Sequence, residues 1–258
     1  MPAAILSRLS FHYTILFVTF RQGSMNNPAD IHDWSSLYNA RRRVIACATV
    51  IEEMLSLLPE DVTSEVLDFG LHLRPAELKK ALQTKIELAS QQADVLLLGY
   101  GLCSMAVVGL QATTAHLVIP RVDDCIAIFL GSCDAYKEQA RKEPGTYYLT
   151  KGWIEVGDSP FSEYQRLVEK FGEAKADRMT RLMLKNYTRL GFINSGQYEI
   201  ERYRDYARTT ADKFNLRFEE LDGSPVLVKK LVFGPWDNEF LVVEPGQTIQ
   251  YTDFTNKP

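Results

Sequence analysis

The sequence predicts an α/β fold, a three-layer sandwich with a mostly parallel sheet, completed by a helical segment and C-terminal strands. Short apolar runs alternate with segments of helical period over residues 43–145, and this alternation is typical of βαβ units. One run, residues 94–99, is apolar almost throughout, as expected of a strand that is covered on both faces. Proline and glycine residues separate these segments and end the predicted helices.

Local patterns place the individual elements. The helix predicted at residues 75–92 has Pro75 in its first turn, and Leu78 and Leu82 belong to its buried stripe. Runs that are apolar or rich in β-forming residues predict the strands of the sheet, which are residues 44–49, 64–71, 94–99, 116–120 and 146–154. The other predicted helices are residues 48–58, 104–112, 123–130 and 131–145.

The second half of the chain differs in composition. Residues 161–214 are charged, rich in arginine and tyrosine, and helical in pattern. Strand signals return afterwards, at residues 216–221, 226–233 and 240–243. We therefore predict a single α/β domain at residues 41–258, with a helical insertion at about 161–214. Residues 1–40 are predicted as an N-terminal extension, either a strand or a disordered leader.

Composition excludes several classes of function. The net charge is −4 with acidic and basic residues interspersed, which argues against a nucleic-acid partner. The apolar run at residues 11–20 is too short to cross a bilayer, so no membrane partner is expected. The four cysteines do not resemble the disulfide framework of a small secreted domain. Because they lie beside predicted buried strands, we predict a reducing compartment and a cytoplasmic protein.

Three of the cysteines stand where an α/β protein places its binding site. Cys47, Cys103 and Cys125 each follow a predicted strand and open a predicted helix. Because the carboxyl ends of parallel strands share one edge of the sheet, these thiols are expected to converge there. A helix N-terminus favours the thiolate, which is both a soft metal ligand and a nucleophile. The alternative is that each cysteine packs as a small apolar side chain, which is also the interpretation favoured for Cys133.

Two glycines and a serine around Cys103 suggest a place for a cofactor. Gly99 and Gly101 follow a strand and allow close backbone approach to a ligand, and Ser104 begins the next predicted helix with its free N–H groups. The segment matches neither the dinucleotide-binding motif nor the phosphate-binding P-loop. A generic anion cradle and a purely structural turn both remain open.

Asp124 and Tyr147 are the candidate catalytic residues. Asp124 stands beside Asp123 and Cys125, where a carboxylate can act as a general base or cap the following helix. Tyr147 belongs to an unusually aromatic segment, residues 144–153, which either lines a pocket for a flat or methylated ligand or forms core and rim.

Other ionisable residues receive less weight. Glu52 and Glu53 lie within two turns of Cys47, and a solvated helix face is the more common place for such glutamates. The chain has four histidines, and neither His72 nor His116 is expected to be a ligand or a catalytic base. A catalytic cysteine–histidine pair therefore has little support from the sequence.

Linked motifs along the chain resemble a known family, the domain of unknown function 1638. The motifs are residues 99–103, 117–121, 124–126, 130–132, 144–153 and 240–246, within a resemblance that covers residues 44–249. The family carries cysteine at the positions of Cys47, Cys103 and Cys125, and Asp123 stands where it often carries histidine. Its members are often encoded beside corrinoid-dependent methyltransferase components, which implies a role in one-carbon metabolism and a corrinoid protein or methyltransferase subunit as partner.

Together these observations predict a three-cysteine site at the sheet edge. It would hold zinc or an iron–sulfur cluster and leave one position for a small-molecule substrate. The protein would then be an enzyme or accessory protein of corrinoid-linked methyl transfer. The first alternative is a metal-free module that binds a small molecule or a protein partner without catalysis. The second is covalent catalysis by one cysteine of low pKa.

Overall fold

The computed structural model describes residues 33–196 and 198–255, which form α/β structure built on two sheets. The strands are β1 (Arg42–Cys47), β2 (Thr63–Leu67), β3 (Val95–Gly99), β4 (His116–Pro120), β5 (Thr146–Leu149), β6 (Arg189–Asn194), β7 (Arg217–Asp222) and β8 (Phe240–Val243). The helices are α1 (Ala48–Met54), α2 (Pro75–Ala89), α3 (Cys125–Leu130), α4 (Cys133–Lys142), α5 (Lys151–Val156), α6 (Pro160–Phe171), α7 (Glu173–Met183), α8 (Glu201–Phe214), α9 (Val226–Phe233) and α10 (Thr252–Thr255).

The first sheet has the strand order β2-β1-β3-β4-β8 and is mostly parallel, with only β8 antiparallel to its neighbour. Every side chain of β3 is buried. Since successive side chains of a strand point to opposite faces, both faces of this sheet are covered. On α2, Leu78, Leu82 and Ile86 form the predicted buried stripe. The predicted fold class is confirmed.

The second sheet is parallel, with the order β5-β6-β7. Its central strand β6 lies inside residues 161–214, which the sequence predicts as helical throughout. The segment does contain α6, α7 and α8, but Leu190 and Phe192 of β6 are fully buried in a second hydrophobic core. Only residues 190–193 of this six-residue strand are apolar, which is too short a run to stand out from its charged flanks.

Three further predicted strands differ in the structure. The strand predicted at residues 64–71 ends at Leu67, because Asp68 accepts from Gly70 N and caps a 3₁₀ turn, Phe69–Leu73. Residues 226–233 form helix α9, whose buried residues Leu227, Val228, Leu231 and Val232 recur at helical spacing. A short run rich in β-branched residues does not distinguish the two states by itself. The strand predicted at residues 146–154 ends at Leu149, because the Thr150 hydroxyl accepts from Trp153 N and caps α5.

The two sheets meet at their carboxyl edges. Helix α1 begins at the carboxyl end of β1, and α5 begins just after the carboxyl end of β5. A Cβ atom added to Gly152 of α5 would lie 2.3 Å from the backbone oxygen of Thr49 in α1, so the two helix starts are in close backbone contact. The carboxyl edges of the two sheets, where parallel sheets commonly bind ligands, therefore lie beside each other.

The N-terminal extension is described only from residue 33. The predicted strand or leader within residues 1–32 lies outside the described residues. Tyr38 packs edge-on against Trp236 at 5.0 Å between ring centroids, and its hydroxyl accepts from Trp236 N at 3.2 Å. None of the helices that the structure describes combines the length and the hydropathy that a bilayer crossing needs.

Candidate functional site: a thiol cluster

The first sheet brings one chemically active residue from each of four adjacent strands to its carboxyl edge. Cys47 ends β1, Cys103 follows β3, and Cys125 follows β4 as the first residue of α3. The fourth residue is His72, which follows β2 in a 3₁₀ turn, Phe69–Leu73. All three thiols are buried and none is in a disulfide. We call Cys47, His72, Cys103 and Cys125 the thiol cluster.

Cys103 lies in a strained turn and not at the start of a helix. Cys103, Ser104 and Met105 all have positive φ angles, of 26°, 56° and 62°. The helix predicted at residues 104–112 is therefore wrong, because its first turn has the wrong hand and only a 3₁₀ turn, Cys103–Met105, forms. Three consecutive non-glycine residues in this region cost about 1–3 kcal/mol each, a pattern that clusters at functional sites.

A neighbouring loop holds this turn in place. Leu102 N donates to Val122 O at 2.9 Å and Cys103 N donates to Asp123 O at 3.2 Å. Gly101 permits this approach, because a Cβ atom there would lie 2.7 Å from Val122 O. The loops after β3 and β4 are therefore hydrogen-bonded to each other, which holds Cys103 near Cys125.

Three neighbours act on the sulfur of Cys103. Gly101 N donates to it at 3.4 Å, and Cys125 and His72 both favour its ionised form. Together they lower the pKa of Cys103 to about 6, with the Cys125 bond the largest cause and with burial opposing the shift. Hydrogen bonds to the ionised form stabilise a thiolate even where water is excluded.

His72 is oriented as a cationic partner. Its Nδ1 lies 2.9 Å from Phe69 O, and since a carbonyl only accepts, Nδ1 carries a proton and leaves Nε2 for Cys103. Burial lowers the pKa of His72, but the interaction with Cys103 and the negative charge of Cys103 outweigh burial, so the pKa of His72 is raised. The ring also stacks on Phe69 and Tyr100, at 5.2 and 6.2 Å. Cys103 and His72 thus each favour the charged form of the other.

The other thiols of the cluster favour the protonated form. The bond to Cys103 raises the pKa of Cys125 well above its ordinary value, so Cys125 keeps the proton that it donates. Burial raises the pKa of Cys47, whose sulfur lies 3.3 Å from Thr49 Oγ1. Tyr100 is 1% exposed, and its hydroxyl has no hydrogen-bond partner among the described residues. Among the thiols of the cluster, the surroundings therefore favour the thiolate at Cys103 and the protonated form at Cys47 and Cys125.

The predicted cofactor-binding residues have different surroundings. A Cβ atom at Gly99 would lie 2.7 Å from Ala46 Cβ, so this glycine is required for packing between β3 and β1. Gly101 supports the Cys103 turn, and Ser104 is exposed within it. Their role toward a cofactor stays a prediction.

The two predicted catalytic residues lie outside the thiol cluster. Asp124 caps α3, its Oδ1 accepting from Ile126 N at 2.8 Å, and burial raises its pKa. Capping is the alternative that the sequence left open for it. Tyr147 packs edge-on against Phe161 and Tyr187, at 4.9 and 5.1 Å. A catalytic role for either residue stays a prediction.

A second polar group lies where the two sheets meet. Glu53 is 3% exposed, so the solvated face expected for the α1 glutamates is wrong for it. Its Oε2 accepts from Ser195 Oγ at 2.5 Å, and burial raises its pKa. Glu52 pairs with Lys151 at 2.5 Å. Neither Ser195 nor Lys151 is predicted from the sequence, although Ser195 directly follows β6 and Lys151 lies two residues beyond β5.

The donor set is chemically soft but is not arranged as a metal centre. Thiolates and imidazole are the ligands that zinc prefers. Over residues 33–196 and 198–255, however, no three histidine, cysteine, aspartate or glutamate side chains are positioned to hold a metal ion. Zinc and the iron–sulfur cluster stay predictions, and the arrangement gives them no preformed site.

A family comparison covers most of this site. Residues 66–232 match the family described as "Protein of unknown function (DUF1638)". The chain belongs to this family. The DUF1638 match includes His72, Cys103 and Cys125, while Cys47 precedes it, and it confirms the resemblance found in the motifs. No curated protein and no solved structure matches the chain.

Proposed function

We propose that this DUF1638 protein is a cysteine-dependent enzyme in which the Cys103 thiolate is the nucleophile toward a small-molecule substrate. The observation that carries the proposal is the placement of Cys103 beside Cys125 and His72 at one sheet edge, with Gly101 N donating to its sulfur and with its pKa lowered to about 6. The strained turn of Cys103 adds to it, since local backbone strain of this kind is retained mainly where function requires it.

The proposed reaction is a group transfer through sulfur. The Cys103 sulfur attacks an electrophilic carbon, a sulfur–carbon bond forms, and the leaving group departs with its bonding electron pair. The His72 imidazolium donates the proton that the leaving group takes up. A second nucleophile then receives the carbon group from the sulfur, His72 accepts that nucleophile's proton, and the thiolate and imidazolium are restored. Cys125 keeps its own proton and stabilises the thiolate at the beginning and the end.

Selective alkylation of the native protein tests this proposal. A limiting amount of iodoacetamide at pH 7, followed by peptide mass spectrometry, reports which of the four thiols reacts first. Cys133 is the internal control, because it is 9% exposed while Cys103 is 6% exposed, so access alone favours Cys133. We expect Cys103 to be modified first. Equal, slow modification of all four thiols would instead support the non-catalytic binding module.

A second candidate is a soft-metal site. What favours it is that Cys125 and His72 both interact with Cys103, with Cys47 close enough for its charge and that of Cys103 to interact. In this case zinc or an iron–sulfur cluster would draw the three thiols together. Metal analysis after anaerobic purification separates the candidates. Stoichiometric metal that is lost in each of Cys47→Ser, Cys103→Ser and Cys125→Ser would replace the nucleophile proposal with this one.

The biological setting rests on the family resemblance and the composition. Participation in corrinoid-linked methyl transfer, with a corrinoid protein or methyltransferase subunit as partner, fits a thiolate nucleophile because methyl groups are soft electrophiles. It stays a prediction, as do the cytoplasmic location and the lack of nucleic-acid and membrane partners.

A further inference from the structure

Half of the residues that line a cavity outside the thiol cluster are aromatic. Its volume is about 340 Å³, which suits a small organic ligand. Its aromatic lining residues are Tyr136, Tyr147, Tyr148, Trp153 and Tyr187. Tyr136 and Tyr148 form one edge-on pair, with centroids 6.2 Å apart, and Tyr147 and Tyr187 form another at 5.1 Å. The aromatic segment noted in the sequence is therefore concentrated on one cavity.

The charge of the lining is one-sided. Glu143 is its carboxylate, and no lysine, arginine or histidine is among the residues that line the cavity. Glu143 shares its charge with Arg217, at 2.7 Å, but this arginine is half exposed and also pairs with Glu219. Burial raises the pKa of the lining residue Tyr136, and the nearby charge of Asp124 raises it further. Buried Arg189 lies behind the lining as well, where its Nε donates to Thr146 Oγ1 at 2.7 Å and it pairs with Glu219 at 3.0 Å. Both arginines are thus paired with carboxylates, and the lining itself offers a carboxylate and electron-rich rings to a cationic ligand.

We infer that this cavity binds a small organic cation with an alkylated ammonium head. Ring faces attract such cations through their quadrupoles, and the attraction is strongest for tryptophan and tyrosine. An alkylated ammonium also loses less hydration on entering an apolar cage than a bare ammonium does.

Helix α3 contributes to both the cavity and the thiol cluster, but no residue belongs to both. Consecutive residues of α3 serve the two places: Cys125 belongs to the cluster and Ile126 lines the cavity. The inference about the cavity therefore stands independently of the thiolate proposal.

A matched pair of probes tests the inference. Choline and 3,3-dimethyl-1-butanol have the same shape, but only choline is charged. Titration calorimetry of the full chain should give saturable choline binding that is at least about ten-fold tighter than binding of the neutral alcohol. Equal affinities would identify an apolar pocket without cation selectivity and would overturn the inference, and so would an absence of saturable choline binding.

Variants place the binding in the cavity. Tyr187 lies at the cavity rim and is partly exposed, so Tyr187→Leu is expected to leave the fold intact. It should weaken choline binding by about three-fold or more, in line with the loss of one cation–π contact. Tyr251→Leu is the matched control, since this tyrosine is exposed and does not line the cavity. Unchanged choline affinity in Tyr187→Leu, or an equal loss in the control, would contradict the assignment.

Discussion

At the scale of single residues, the site depends on how burial and hydrogen bonding compete. Burial raises the pKa of Cys47, and the hydrogen bonds from Thr49 and Val50 that oppose the shift do not outweigh it. Cys103 is buried as well, yet donors outweigh desolvation and lower its pKa. Position relative to His72 and Cys125 therefore decides which cysteine of the cluster is reactive.

Replacing His72 should raise the pKa of Cys103. In His72→Gln the partner that favours the thiolate is lost, and the pKa of Cys103 is expected to rise by about 1–3 pH units, the usual effect of removing a nearby opposite charge. Alkylation of Cys103 at pH 7 should slow accordingly, as measured by timed mass spectrometry.

The matched control for this variant is His116→Gln. His116 begins β4 at the opposite edge of the sheet, where its ring packs edge-on against Trp34 at 6.1 Å. Its replacement should leave the alkylation rate of Cys103 unchanged. A His72→Gln protein that reacts as fast as the native protein would show that His72 does not activate the thiol.

Glu53 gives a prediction about stability and pH. Its folded pKa is raised by burial, so the folded protein binds this proton more tightly than the unfolded chain. The stability that this group contributes is present below the unfolded pKa and is lost as the pH rises through the folded pKa. Denaturant unfolding should therefore show that the stability of Glu53→Gln relative to the native protein increases as the pH rises from 4 to 7.

The control for this series is Glu60→Gln, a substitution at an exposed position. Its free energy of unfolding should follow that of the native protein at every pH. A constant difference between Glu53→Gln and the native protein over the same range would mean that Glu53 does not titrate anomalously.

At the scale of elements, the close contact of α1 and α5 joins the two carboxyl edges. Gly152→Ala should destabilise the protein by about 1–3 kcal/mol, because the new Cβ meets the backbone of Thr49, which cannot move aside as a side chain can. Asp205→Ala, at an exposed position of α8, is the control and should change the free energy of unfolding by about 0.5 kcal/mol or less. Equal stability of the two variants in urea titrations would contradict the packing described for α1 and α5.

The sequence predicted those elements that are long enough to show a repeating apolar pattern. Helix α2 offers four turns with one buried stripe, and its prediction is confirmed. The eight residues of α9 and the six of β6 are too short for that, and tertiary packing decides their state. The turn of Cys103 was missed for another reason, since its left-handed backbone is held by hydrogen bonds to a loop twenty residues away.

At the scale of the whole molecule, strand order explains what could be foreseen of the site. Placing Cys103 and Cys125 at one edge required only that β3 and β4 be parallel, which the apolar runs indicate. His72 required knowing that β2 also lies in this sheet and that a 3₁₀ turn follows it. The second sheet, and with it the buried position of Glu53, depended on recognising β6.

The central claim is that Cys103 is a thiolate at neutral pH, and thiolate absorbance at 240 nm measures this without requiring access by a reagent. A difference titration of the native protein against Cys103→Ser should contain one thiolate with a pKa of about 6. Cys133→Ser serves as the control and should retain that transition. A difference curve that rises only near pH 9, the ordinary range of a free thiol, would contradict the account.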